Sequence, residues 1–308
     1  MAYRALSQPR IGWIGAGRMG LQMAARLLDA GHDVAIYNRT AAKAAPIVSR
    51  GAAAVDRPAD LADRDVVFTM VSGSDDLLQI TTGADGVLTD PGGSPALLVD
   101  FSTVSMEASA AVRDAARKRD TDFLAAPVSG NPHVVADGEA VLVTSGPWDT
   151  YDLVRPYLEA IGKTAVYAGD EEQARLVKLC SNLYLGLIMQ SLSEVTALAE
   201  KAGVPRAAFL DFLNSTVLGS DWVRKRTPDL LALDWTPTFT TELLRKDFDL
   251  GLAAARQYEV TMPLAGNVFQ LLQAAIGRGY RDADFLSLFA VEAASSGLDI
   301  QPSPVSER

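Results

Sequence analysis

Three glycines, Gly15, Gly17 and Gly20, follow an apolar run at 11–14 in the pattern G-x-G-x-x-G, with Ala16, Arg18 and Met19 between them. A turn of this kind feeds a helix whose first N–H groups and dipole attract an anion. The chemistry is dinucleotide binding: Gly15 permits a tight turn, Gly17 lets the backbone approach a pyrophosphate, and Gly20 lets the helix pack closely on a sheet. A second apolar run at 34–37 ends at Asn38, Arg39 and Thr40, with Lys43 just beyond. An NAD site places a carboxylate there to accept from the ribose 2′-hydroxyl. Here Arg39 can instead make a planar, charge-assisted contact with a 2′-phosphate, and Thr40 can add a hydroxyl donor. NADP(H) is therefore the expected cofactor, with NAD(H) as the alternative and a solvated loop charge as the bland reading of Arg39.

Three polar residues interrupt an apolar segment at 176–192: Lys178, Ser181 and Asn182. Positions i, i+3 and i+4 share one helix face. Burying an unpaired lysine is costly. Its neighbours Leu176, Val177, Leu179, Cys180, Leu183 and Tyr184 point to a cleft around Lys178 more than to open solvent. Ser129, Gly130 and Asn131 offer a hydroxyl and consecutive N–H groups suited to a carboxylate, although the same residue types also make ordinary turns. Lys246 and Asp247 alone read as a solvated pair. His32 follows the helix-ending Gly31 and reads as structural, whereas His133 lies beside the Ser-Gly turn as a candidate substrate contact. One cysteine and two scattered histidines do not make a zinc cluster.

The elements that must position these residues fall into two halves. Strand patterns at 11–14, 34–37, 66–71, 97–100, 122–124, 140–144 and 164–167 alternate with helical stretches, notably 105–119 and 150–161. That alternation predicts an α/β fold with a mostly parallel sheet covered on both faces. Ligands of such sheets lie beyond the strands' carboxyl ends, so Val71, Ser72, Ser102 and Thr103 are expected to face the cofactor. Beyond Gly169 the strand signal stops, and helices are expected at 171–202, 205–215, 220–233, 240–257, 262–277 and 284–296. The chain thus divides into an N-terminal Rossmann dinucleotide-binding domain, 10–169, and an all-α C-terminal domain for substrate binding and dimerisation, 170–300. The latter is built around a long central helix whose middle should be buried almost all round. A tail disordered from Pro302 and a homodimer or homotetramer are expected.

Composition narrows the partners. A net charge of −10 argues against a nucleic-acid surface and leaves any anionic substrate to local cations. The single Cys180, set in an apolar helix, reads as a packing residue in a reducing compartment. No apolar stretch approaches the ~20 residues of a membrane span, and residues 1–10 lack a secretory core segment. A cytoplasmic protein with no membrane or nucleic-acid partner is expected.

Four separated segments resemble the β-hydroxyacid dehydrogenase family, within it the 3-hydroxyisobutyrate dehydrogenases and tartronate semialdehyde reductases. Gly15 to Gly20 with Met23 and Ala24 is similar to its G-x-G-x-M-G-x-x-M-A, and Pro127, Val128, Ser129 and Gly130 to the start of its P-V-S-G-G. Lys178 with Asn182 is similar to its K-x-x-N-N, and Phe239, Leu243, Lys246 and Asp247 to its F-x-x-x-L-x-x-K-D. The resemblance spans about residues 10–295. It implies an NADP(H)-dependent oxidoreductase that interconverts a small 3-hydroxy acid and its semialdehyde or keto acid. Lys178 would then be the general acid–base, its pKa lowered from ~10.4 by partial burial and by the oxidised nicotinamide. Ser129, with the N–H groups of Gly130 and Asn131, would hold a substrate carboxylate. Asn182 would orient the substrate, Ser102 and Thr103 would lie near the nicotinamide, and Lys246 would line the site for substrate and cofactor.

Two departures stand out. Asn131, Pro132 and His133 replace the family's second glycine and its sequel, and Ser181 replaces its first asparagine. They imply a larger or differently anchored acid or aldehyde. Imine reductases share the cofactor segment but tend to have Asp or Tyr in place of Lys178 and lack Pro-Val-Ser-Gly. A cofactor-binding protein that acts by recognition alone would have no need of Lys178.

Overall fold

Runs of four apolar residues, each closed by a glycine or a polar turn, are buried on both faces and so form the inner strands of a parallel sheet. The computed structural model describes residues 9–303. The readings made for residues 1–8, and for the tail beyond 303, lie outside the described residues. Strand β1 (Ile11–Ile14) leads into α1 (Arg18–Asp29), then come β2 (Val34–Tyr37), α2 (Ala45–Val48), β3 (Ala53–Ala54), β4 (Val66–Thr69), α3 (Ser74–Thr82), β5 (Leu97–Asp100) and α4 (Met106–Arg117). They are followed by β6 (Asp122–Ala125), β7 (Val128–Ser129), α5 (Pro132–Ala136), β8 (Val141–Ser145), α6 (Trp148–Ile161), β9 (Thr164–Gly169) and the long α7 (Gln173–Lys201).

The strand order is β3-β2-β1-β4-β5-β6-β8-β7, with β9 on β8. All pairings from β3 to β6 are parallel, and Ile11 sits beside both Val34 and Val66. Only β8 runs antiparallel to β6 and β7. Trp13, Phe68 and Phe101 pack ring against ring beneath the sheet's carboxyl edge, with centroids 5.6–5.9 Å apart. The sheet order reverses at β1 and β4, the crevice where open α/β sheets bind their ligands.

The chain divides into two compact units, one ending at Leu179 and one beginning at Cys180. That division falls inside α7, whereas the sequence placed it ahead of the helix, at 169/170. The second unit holds the rest of α7 with α8 (Arg206–Ser215), α9 (Asp221–Ala232), α10 (Thr241–Gln257), α11 (Pro263–Gly277) and α12 (Leu288–Ser295). Its core is Leu183, Met189, Leu192, Leu244, Phe248, Leu272 and Phe289. The buried Arg206 guanidinium ties it together, reaching Glu200 Oε2 (3.0 Å), Leu230 O (2.8 Å) and Gln301 O (3.0 Å) over the ring of Phe289.

Three expectations are corrected. The middle of α7 is not buried all round: Tyr184 is 65% exposed, and Val177 and Cys180 are exposed too. Residues 177, 180, 181 and 184 recur at helical spacing on one exposed stripe, which counting apolar residues without their facing had missed. Cys180 is therefore not a packing residue of this core. Nor is the chain loose from Pro302, since Ser303 N–H donates to Leu231 O at 2.8 Å. Among the described residues no helix is long and apolar enough to cross a membrane.

Candidate active site

The turn after β1 is fixed by backbone crowding. Gly15 has φ +109°, and a Cβ there would lie 2.1 Å from Met70 O. Its N–H donates to Tyr37 O (2.9 Å), and its carbonyl accepts the indole N–H of the buried Trp13 (2.9 Å). A Cβ on Gly20 would lie 2.1 Å from that same Gly15 carbonyl. Gly20 is thus demanded by the turn itself and not, as expected, by packing on the sheet. Around Gly17 nothing lies within 4 Å of a Cβ, so the open side of the turn is at the start of α1.

A cavity of about 310 Å³ opens beside this turn, walled by Gly15, Gly17, Asn38, Arg39, Thr40 and Lys43 with Val71 and Ser72. An open backbone approach next to two cations and a hydroxyl fits a dinucleotide phosphate. Asn38 is mainly a brace: its Oδ1 accepts the Ala16 N–H (2.7 Å) and its Nδ2 donates to Thr40 O (2.8 Å). Arg18 at the helix start is exposed, and Met19 packs half-buried against the core. The sequence reading missed Asp76, on the unrecognised helix α3. It lines the cavity and pairs with the exposed Arg39 at 2.9 Å. A carboxylate therefore does stand near the expected 2′-phosphate position, and any phosphate there must draw Arg39 away from it.

The carboxyl end of β5 is a closed polar network. Asp100 Oδ1 accepts from Thr69 Oγ1 (2.6 Å) and Ser102 Oγ (2.7 Å), and Ser102 Oγ in turn accepts the Val71 N–H (2.8 Å). Arg175, on the first turn of α7, donates to Asp100 Oδ2 (2.6 Å), Ser102 O (2.6 Å) and Ser109 Oγ (3.1 Å). Both charged side chains are fully buried. Burial pulls the guanidinium below its ordinary pKa and the charge of Asp100 opposes this; a guanidinium stays protonated regardless. Ser102 is buried with its hydroxyl engaged, so it braces the cofactor loop instead of facing the cofactor as expected. Thr103 is half-buried beside it.

The same unit carries the Ser-Gly turn. Ser129 is exposed at the end of β7, paired with Val141, and Gly130 follows at φ +145°. Asn131 then caps α5, its Oδ1 accepting the Val134 N–H at 3.0 Å, and Pro132 takes the first helical position. The departure from the glycine pattern is thus a short capped helix. The side-chain oxygen of Asn131 is engaged in the cap, not left over as an obstacle to a carboxylate. His133 is exposed on α5, while His32 stacks on Tyr157 at 5.2 Å, its pKa lowered by burial, as a structural residue.

Lys178 is half-buried, one turn beyond Arg175. The polar face expected around it is divided. Ser181 is exposed, whereas Asn182 is buried and donates through Nδ2 to Asp247 Oδ2 at 2.5 Å. Asp247 is only 2% exposed and lies 3.1 Å from Lys246 Nζ, so Lys246 and Asp247 are not the solvated pair their sequence suggested. The second unit therefore brings Asn182, Lys246 and Asp247 together.

A parallel sheet reversing beside a glycine turn, with a cavity walled by Arg39 and Thr40, defines a dinucleotide-binding Rossmann domain. The family model for the NAD-binding domain of 6-phosphogluconate dehydrogenase matches residues 10–169, and the NAD-binding model of NADP-dependent 3-hydroxyisobutyrate dehydrogenase matches 173–291. A 3-hydroxyisobutyrate dehydrogenase of Pseudomonas aeruginosa is 30% identical, the match covering 90% of this chain and 96% of the relative. A glyoxylate/succinic semialdehyde reductase of Arabidopsis thaliana is 28% identical over 93% and 80%. The solved 3-hydroxyisobutyrate dehydrogenase of Mycobacterium tuberculosis, with L-serine, superposes with TM-score 0.82 at 26% identity, covering 92% of this chain and 98% of that one. Imine reductases and reductive aminases share the fold at lower TM-scores, 0.58–0.62. The chain belongs to the β-hydroxyacid dehydrogenase family and is an NAD(P)-dependent oxidoreductase.

Proposed function

We propose that this enzyme interconverts a small, carboxylate-bearing 3-hydroxy acid and its semialdehyde or keto acid, preferring NADP(H), with Lys178 as general acid–base. The observation that carries this reading is the half-buried Lys178 one turn beyond Arg175, which is anchored to the β5 end in the same compact unit as the dinucleotide cavity. In the reducing direction the Lys178 ammonium gives its proton to the substrate carbonyl oxygen and is recharged from solvent. In the oxidising direction the neutral amine takes the hydroxyl proton. The nicotinamide supplies or accepts the hydride. The Ser129 hydroxyl and the N–H groups of Gly130 and Asn131 hold the carboxylate. Asn182, one turn beyond Lys178, and Lys246 are the remaining substrate groups of the proposal. Arg39, Thr40 and Lys43 hold the 2′-phosphate, Arg39 exchanging Asp76 for it. A homodimer or homotetramer belongs to the same reading and is checked by light scattering.

The test is an NADPH-oxidation screen over glyoxylate and succinic, methylmalonic and tartronic semialdehydes, with cyclic imines alongside. Turnover of a carboxylate-bearing aldehyde, faster with NADPH than with NADH, is expected. Turnover of imines alone would replace this reading with imine reduction.

A further inference from the structure

The helix that carries Lys178 is not simply packed against the sheet; hydrogen bonds peg its first turn to the β5 and β8 ends. Ser145 Oγ, at the end of β8, donates to Glu171 O (2.6 Å) and accepts the Ala174 N–H (3.1 Å). Arg175 is the next residue, and its fork reaches both the Asp100 carboxylate and the Ser102 carbonyl at the end of β5. Asp100 divides its two oxygens between two functional elements. Oδ2 holds Arg175, while Oδ1 holds Ser102, whose hydroxyl holds the backbone of Val71 in the wall of the dinucleotide cavity. Arg175 and Lys178 stand at i and i+3, on one helix face. A buried ion pair is a poor source of stability, and apolar residues of similar volume often replace it without loss. A rigid bridge between a cofactor loop and a lysine has a different use, because a displacement of about 1 Å at a reacting group can lower turnover about 10²-fold.

We propose that Asp100 and Arg175 are positioning residues that hold the Lys178 amine in register with the cofactor loop. This rests on the reading of Lys178 as the general acid–base. Neither residue touches substrate; both act through the helix and the Val71 segment.

The test is a cycle of variants of the whole enzyme: Asp100→Asn/Arg175→Gln, Lys178→Ala, and the three changes combined. Removing both charges together leaves no lone buried ion, and an amide oxygen at position 100 still accepts from Ser102. Turnover is counted per NADPH-binding site, with NADPH affinity read by fluorescence titration. The paired change is expected to lower kcat about 10- to 100-fold while the NADPH Kd moves less than about twofold. Added to Lys178→Ala it should lower turnover no further, since its effect runs through that amine. Should the paired variant fail to fold, Arg175→Lys is measured the same way. It keeps the charge but loses the planar fork to Ser102 O and Ser109 Oγ, and a kcat loss of at least about tenfold at unchanged NADPH Kd is expected. Wild-type kcat with only a lowered melting temperature would overturn the proposal, as would a paired loss that multiplies in full on top of Lys178→Ala. Full activity of Lys178→Ala alone would instead remove the acid–base reading, and the positioning role with it.

Discussion

The turn after β1 and the polar face of α7 are both short motifs at spacings that chemistry needs, yet they are specified in different ways. At the turn, backbone meets backbone: Met70 O and Gly15 O stand 2.1 Å from where side chains at 15 and 20 would begin. On α7, three residues that share one helix face end in three environments, half-buried at Lys178, exposed at Ser181 and buried against Asp247 at Asn182. A motif imposed by backbone sterics carries its reason within itself. A motif made of side chains acquires its meaning from whatever the rest of the chain brings alongside.

The sharpest way to break this contrast is at the turn. Gly15→Ala should destabilise the first unit by about 3 kcal/mol or more, combining left-handed backbone strain with a clash against a carbonyl, and abolish NADPH binding. Gly17→Ala, in open space, should melt like wild type and lose only cofactor affinity; thermal melts with and without NADPH read both. On α7, Asn182→Ala should cost about 1–3 kcal/mol, because it strips a donor from the buried Asp247 carboxylate. Ser181→Ala should change stability by no more than about 0.5 kcal/mol. Equal effects at 181 and 182 in denaturant titration would restore the single polar face. Arg39→Ala should raise KM for NADPH about 10- to 100-fold, matching loss of a charged hydrogen bond of about 1.5–3 kcal/mol, and leave NADH nearly unchanged. Asp76→Asn should instead lower KM for NADPH, and equal losses for both cofactors in Arg39→Ala would refute the 2′-phosphate assignment. The smallest effect is at Tyr167, where desolvation, then the hydrogen bond to and charge of Asp170, push the phenol up to about 12. A raised pKa in the folded state gives stability that is fully present below pH ~10 and lost as pH rises through about 12. Ultraviolet titration should show one tyrosine ionising late, and Asp170→Asn should bring it down.

Most of the fold was legible because it rests on periodicity. The strands at 11–14, 34–37 and 97–100 and the helices of the second half lie where their apolar spacing placed them, to within a few residues. Short elements were not legible. Helices α3 and α5 and strand β7 have too few residues to show a period, and with α3 went Asp76, the partner of Arg39. Asn131 and Pro132 could have been read as a helix start, since an asparagine followed by proline is a strong capping signal; the family pattern drew attention to the missing glycine instead. Arg175 and Asp100 gave no local sign of each other. They lie 75 residues apart in sequence, and a buried pair of that kind appears only when the helix is seen to land on the β5 end. The outward stripe of α7 was hidden for a related reason, because Val177 and Tyr184 look like core residues until their facing is known.

The central claim is that one half-buried amine on α7 transfers the proton. It is tested most directly by kcat of Lys178→Ala with the best semialdehyde from the screen, measured beside NADPH affinity. A fall of at least ~10²-fold in kcat with NADPH bound as in wild type is the predicted result. Turnover within a few-fold of wild type would contradict it and leave this lysine outside the chemistry.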